Sequence, residues 1–141
     1  MKRKGITPII AVLVILLITI GIAGSAWTFM SAYWQGLVAK SIQMTDSYCT
    51  GGDAQIYLRN SGTNGVSLNN DHSGNIVVLN KLDGEPIAGG EWFESDGVTS
   101  LDGSGAAPGE LFMYRFTCDI GTMCNVKFIV GGKSIPASVL C

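Results

Sequence analysis

Ile6-Thr7-Pro8-Ile9-Ile10-Ala11-Val12-Leu13-Val14-Ile15-Leu16-Leu17-Ile18-Thr19-Ile20-Gly21-Ile22-Ala23-Gly24-Ser25-Ala26-Trp27-Thr28-Phe29-Met30 opens a run that continues to Ala39 without one Asp, Glu, Lys or Arg. A helix needs about 20 apolar residues to cross a bilayer core, so positions 9–30 suffice for one span. Apolar side chains occur on every face of this run instead of recurring as a single stripe. Such a helix must be surrounded on all sides, by lipid or by protein. The remainder of the 141-residue chain reads as a separate small domain, which leaves a membrane or further copies of the same helix to surround it.

Outward from this run, charge and cysteine usage narrow the possibilities. The net charge is −2, but Lys2, Arg3 and Lys4 hold three of the nine basic residues, so everything beyond them is distinctly acidic. No basic stripe is left to neutralise a phosphate backbone, which argues against nucleic acid as a partner. The four cysteines, Cys49, Cys118, Cys124 and Cys141, all follow the apolar run and suit two disulfides in an oxidising compartment. Lys2-Arg3-Lys4 immediately before the span puts the N-terminus in the cytoplasm and Lys40 onward outside, in agreement with the cysteines. Gly24-Ser25-Ala26 fits a signal-peptidase site, but the apolar region is longer than a secretory h-region and continues through Trp27, Phe29, Met30, Tyr33 and Trp34.

The junction Lys2-Arg3-Lys4-Gly5 followed by Ile6-Thr7-Pro8-Ile9-Ile10 resembles the class III signal of archaeal type IV pilins, a short basic leader ending in a small residue before a Ser/Thr-Pro-Ile/Val motif. The resemblance covers roughly the first 30 positions; beyond them it extends only to the plan of a β-rich head. It implies cleavage between Gly5 and Ile6 by a membrane-embedded prepilin peptidase, with the helix kept on the mature protein. It also implies a precursor held in the cell membrane, a pilus assembly machinery, and identical subunits as partners in an extracellular helical filament. Adhesion, motility and DNA uptake are all compatible with it. The Glu of bacterial type IV pilins is absent, since Ile9, Ile10 and Ala11 stand there. An archaellin-like subunit is the near alternative, and a monomeric single-span protein displaying a small binding domain is the other.

Local chemistry agrees with a helix. Pro8 suits a first turn, where its missing N–H costs nothing, and Thr7 suits an N-cap. Gly21 and Gly24, with Ala23, Ser25 and Ala26 beside them, form a patch of small residues that admits another helix closely. Trp27, Tyr33 and Trp34 fit a membrane–water interface or a stalk–head boundary. The helical reading continues to about Thr45, roughly 60 Å at about 1.5 Å per residue. The chain thus divides into a leader at 1–5, a hydrophobic helix at 6–46 and an extracellular head at 47–141.

In the head, Gly, Asn, Asp and Ser clusters separate short apolar runs, the pattern of an all-β domain. Ile56 and Leu58 alternate with Gln55 and Arg59 as in a half-buried strand. The run 76–79 suits a strand buried on both sides. Asp83-Gly84 signals a hairpin. Positions 89–109 read as a long exposed loop with Trp92 and Phe93 anchored inside. Strands follow at 110–118, 124–130 and 134–140. Phe112, Tyr114 and Phe116 share one face, Val126, Phe128 and Val130 another, Gly131-Gly132 makes the tight turn, and Pro136 marks an edge. The fold class is α+β, a long N-terminal helix followed by an immunoglobulin-like or related β-sandwich whose strand order the sequence leaves open.

Four cysteines allow three pairings. Cys118 with Cys124 is favoured, because the two flank a short loop between apparent hairpin strands; Cys49 with Cys141 then remains. Glu91, Glu94, Asp96 and Asp102 in the 89–109 segment invite a calcium reading, but their spacing fits no EF-hand and acidic loops are usually solvated. His72 lies in turn-forming sequence with no second His or Cys partner. No phosphate loop, nucleophile elbow or Asn-x-Ser/Thr sequon occurs. No catalytic residue, cofactor or metal is expected, and a tethered hydrolase using the acidic loop is the enzymatic rival.

Overall fold

The computed structural model describes residues 6–141, with side chains described at 8–34 and 39–141. The leader residues Lys2, Arg3, Lys4 and Gly5, and with them the Gly5 side of the expected cleavage, lie outside the described residues. The chain falls into two compact units, Met1–Gly36 and Leu37–Cys141.

The first unit is the helix α1, Ile6–Val38. Pro8 sits in its first turn, as its chemistry requires, and the helix begins at Ile6 instead of after a Thr7 cap, a difference within the usual fraying of helix ends. Its other end departs further from the sequence reading. The helix stops at Val38, not near Thr45, and 42–50 is a strand. The reason is a change of hydrogen-bonding partner. The Ala39 carbonyl accepts from Asn64 N–H, and the Ser41 carbonyl accepts from Ser61 and Gly62 N–H, so neither is left for a further helical turn. Ile42 is then buried in the head's core. The helix–head boundary therefore lies near 39–42, not at 46–47.

The second unit is β-rich: β1 Ile42–Thr50, β2 Asp53–Asn60, β3 Val66–Leu68, β4 Ile76–Asn80, β5 Glu91–Glu94, β6 Ser104–Ala106, β7 Leu111–Thr117, β8 Met123–Val130 and β9 Lys133–Leu140. They form a four-stranded sheet in the order β1-β2-β7-β5, a three-stranded sheet β4-β8-β9 and a small ribbon β3-β6, all antiparallel. With β1, β2, β4, β5, β7, β8 and β9 taken as strands A to G, this is the ABED and CFG order of the constant-type immunoglobulin sandwich. The disulfide that joins strands B and F in antibody domains has no counterpart between β2 and β8, where Ile56 and Phe128 are fully buried in the shared apolar core.

The two larger sheets close on an aromatic centre. Trp92 of β5 packs against Tyr114 of β7 at 4.6 Å between ring centroids, and both reach across to Phe128 of β8, at 6.2 and 5.9 Å. Ile56, Leu58, Ile76, Val78, Phe112 and Val126 fill the surrounding layer. Full burial of each such large side chain contributes about 1.5–3 kcal/mol. The faces assigned from sequence for 112–116 and 126–130 both point into this core.

Turn chemistry sets the registers. Gly131 and Gly132 have φ of 54° and 77° and join β8 to β9 with Val130 opposite Lys133, a two-residue turn whose positive φ values match strand twist. Gly51 and Gly52 do the same between β1 and β2. Pro136 lies on β9, an edge strand, where its missing N–H breaks no ladder.

Two further sequence readings are corrected. The run 76–79 is not buried on both sides: β4 is an edge strand, with Ile76 and Val78 buried and Val77 and Leu79 only half-buried. The segment 89–109 is not one loop, since β5 pairs with β7 and β6 with β3 inside it, though Trp92 and Phe93 are buried as expected.

Candidate functional site

The helix is the first candidate. Within its stretch Pro8–Trp34 the most apolar 18-residue window has a mean hydropathy of 2.8, and none of that window is buried. A helix of 33 residues measures about 50 Å, longer than a bilayer core of about 30 Å. Its few hydroxyls are turned inward along the helix. Thr19, Ser25, Thr28 and Ser31 donate to the carbonyls of Leu16, Ile22, Ser25 and Thr28 at 2.9–3.0 Å. Each satisfies itself locally and presents little polarity to an apolar surrounding.

At 100° per residue, Gly21, Gly24, Ser25, Thr28 and Ala32 fall on one face, while Trp27, Met30, Tyr33 and Trp34 fall on the opposite side. The small-residue patch read from sequence is thus a lengthwise stripe that leaves out Ala23 and Ala26. A Cβ added at Gly21 or Gly24 would meet nothing within 4 Å. Among the described residues nothing requires glycine at these positions for space.

The carboxylates of the acidic segment are dispersed. Glu91 pairs with Arg115 at 3.4 Å. Asp96 accepts from the N–H groups of Val98 and Thr99 and from the Thr99 hydroxyl, and these bonds hold its carboxyl below the usual range. Asp102 accepts from Asn70 N–H, and Glu94 ends β5. Among the described residues no group of three or more His, Cys, Asp or Glu is placed to hold a metal ion. His72 has a positive φ of 63° in its turn and is half-buried; its Nε2 lies 3.1 Å from the Ile87 carbonyl. No nucleophile or acid–base partner is placed beside it by the hydrogen bonds of the described residues.

The cysteines are joined as Cys49–Cys141 and Cys118–Cys124, with Cα separations of 5.1 and 6.1 Å. The first closes 92 residues and ties the first strand to the end of the last; the second closes the short loop before β8. Two disulfides in so small a domain suit an oxidising exterior, and the apolar helix suits a membrane-anchored or secreted chain.

A polar residue that sequence reading did not single out organises the loop end of the head. Asn60 is fully buried; its Nδ2 donates to the carbonyls of Asn64 and Ala106, and its Oδ1 accepts from Gly62 N–H. Its position in Arg59-Asn60-Ser61-Gly62, where a strand runs into a turn, is the signal that marks it.

Compared with known proteins, the chain matches no protein-family model and no curated protein sequence.

Proposed function

We propose that the chain is a structural subunit of an extracellular filament, a pilin of the archaeal type IV kind, held in the membrane by α1 before assembly and polymerised through the same helix. The observation that carries this reading is the helix itself. It is apolar on all sides, longer than a bilayer core, unburied over Pro8–Trp34, and attached to a head that has its own complete core. A helix that leaves lipid for a filament exchanges acyl chains for equally apolar neighbours, so close packing must hold the subunits, and the stripe from Gly21 to Ala32 supplies a close-approach face. The role is structural, with identical subunits as partners and no chemistry of its own.

The test is to purify surface filaments from expressing cells and to measure the mass of their subunit and its first residue. Filaments built of this chain beginning at Ile6 are expected. A monomeric membrane protein that keeps Met1 to Gly5 would overturn the reading, and a start at Trp27 would establish signal peptidase processing.

A further inference from the structure

The head has two chemically different ends. At one, the chain enters through Ala39–Ser41, and Ile42 pairs with Asn60. Gly131, in the β8–β9 turn, lies beside Lys40 there. At the other are the β1–β2 turn, the loop before β8 and both disulfides, with Cys49–Cys141 fixing the end of β9 to the end of β1. Four of the five most exposed large apolar side chains of the head lie at this second end: Leu82 at 83%, Ile120 at 74%, Leu140 at 67% and Met123 at 59%. Met123 and Leu140 are cross-strand partners, and Leu82 and Met123 border a groove of about 330 Å³ floored by Phe116 and Val126. A cross-linked, apolar, grooved surface is built for contact.

Charge indicates what the contact is with. Asp53, Asp83, Glu85 and Asp119 surround this end, with Lys81 nearby and Arg115, paired with Glu91, lining a hollow beside Asp53. The entry end carries Lys40, Arg59 and Lys133, with Leu111 opposite Arg59 and 37% exposed; its carboxylates are Glu110, bonded to Ala107 N–H, and, on the β5 side, Glu94 and Asp96. One head thus bears two different surfaces, an apolar groove ringed by carboxylates and, on the β1, β2 and β9 side of the other end, the bases Lys40, Arg59 and Lys133, the requirement for a head-to-tail contact that propagates instead of closing a dimer.

We infer that the groove end of one head docks on the Lys40 and Arg59 end of the next copy, as a second contact besides that of the helices. The inference rests on the filament reading for its setting but not for its test. Glu85 and Asp119 are the residues to change, because Asp83 holds its own turn through the N–H of Glu85. A zero-length carbodiimide reagent applied to full-length protein from mixed isotopically light and heavy cultures should yield light–heavy peptides joining Lys40 to Glu85 or Asp119. Glu85→Lys/Asp119→Lys removes the carboxylates that the reagent activates, so its effect is read as filament yield, which should fall about tenfold as like charges then face each other. Adding Lys40→Glu/Arg59→Glu in the same chain should restore filaments and give light–heavy peptides joining position 40 to position 85 or 119 with the amine and carboxyl roles reversed. Peptide mapping of both disulfides verifies that the variants fold. Filaments with no mixed Lys40 cross-link, and with normal yield from Glu85→Lys/Asp119→Lys, would overturn this contact and leave the filament reading standing. Mixed cross-links in material that forms no filaments would support the contact and sink the filament reading.

Discussion

Gly90 lies against the phenol of Tyr114 so closely that a Cβ at position 90 would overlap the hydroxyl and the ring carbon that carries it. Tyr114 is fully buried, its hydroxyl has no hydrogen-bond partner among the described residues, and burial raises its pKa far above the ordinary phenol value. Gly90→Ala is therefore expected to destabilise the head by about 1–3 kcal/mol through overpacking. Tyr114→Phe is expected to be neutral or stabilising by up to about 1 kcal/mol, since it removes an unpaired polar atom, and to recover part of the Gly90→Ala loss. Urea titrations of the three variants decide this; a cost above about 2 kcal/mol for Tyr114→Phe would show that the hydroxyl has a partner after all.

The two disulfides should contribute unequally. In the chain-entropy account the stabilisation grows with the logarithm of the closed loop. Cys49–Cys141 spans 92 residues and Cys118–Cys124 only 6. Replacing Cys49 and Cys141 with Ser is expected to cost about 2 kcal/mol more than the same change at Cys118 and Cys124. Equal midpoints in guanidinium chloride for the two double variants would argue that local packing, not loop length, sets their value.

Asn60 tests the buried amide at the loop end. Asn60→Ala removes three side-chain hydrogen bonds at a site with no solvent access and should cost about 2–4 kcal/mol. Asn60→Asp keeps the acceptor for Gly62 N–H but turns an anionic oxygen toward the carbonyls of Asn64 and Ala106, so at neutral pH it should cost at least as much as Ala. Thermal unfolding of both, with Asp recovering at acid pH, would confirm the assignment; an Asp variant as stable as the parent would refute it.

On the outer face of the four-stranded sheet, the Tyr48 and Tyr57 rings stack at 5.7 Å and their hydroxyls lie 3.0 Å apart. The hydrogen bond with Tyr48, and then desolvation, push Tyr57 up to about 12 from the ordinary phenol value of 10.0. A phenol whose folded pKa is raised holds its proton more tightly folded than unfolded. Its contribution is full below about pH 10 and is lost as pH rises through about 12. Between those values the stability of the parent should fall more steeply with pH than that of Tyr48→Phe, which lacks the bond. Parallel midpoint-versus-pH curves would remove Tyr57 as a source of the alkaline loss.

What could be read in the sequence follows from how strongly each segment states its own period. The helix, β2 and the last three strands carry unambiguous patterns, and Gly131-Gly132 names its turn. The strand β1 does not. It follows the apolar helix directly, its register shifts between Met44 and Asp46, and only Ile42 among its residues is fully buried, so its alternation is broken where a reader looks for it. Gly51-Gly52 was the available signal, the same pair that marks the β8–β9 hairpin. β5 and β6, of 4 and 3 residues, are strands because β7 and β3 offer them partners, a tertiary cause that no local pattern contains. Among the assembly features, the glycine patch was legible, but its face was not, since Ala23 and Ala26 neighbour it in sequence and diverge from it around the helix.

That divergence provides a control for helix-mediated assembly. A Cβ at Gly24 would meet nothing within 4 Å among the described residues, and Leu is a better helix former than Gly, so Gly24→Leu should leave the span as helical and as insertable as before. Any loss must then come from a neighbouring molecule. In a filament whose helices meet along the stripe, Leu at 21 or 24 holds backbones apart where they need to approach, and subunits should accumulate in the membrane with filament yield falling about tenfold or more. Ala23→Leu and Ala26→Leu add similar bulk on other faces and should assemble far better. The readout is the ratio of filament to membrane-fraction subunit for the four variants. Normal filaments from Gly21→Leu/Gly24→Leu would remove the stripe as the assembly face, and equal defects in all four would show that the helix is packed tightly on every side.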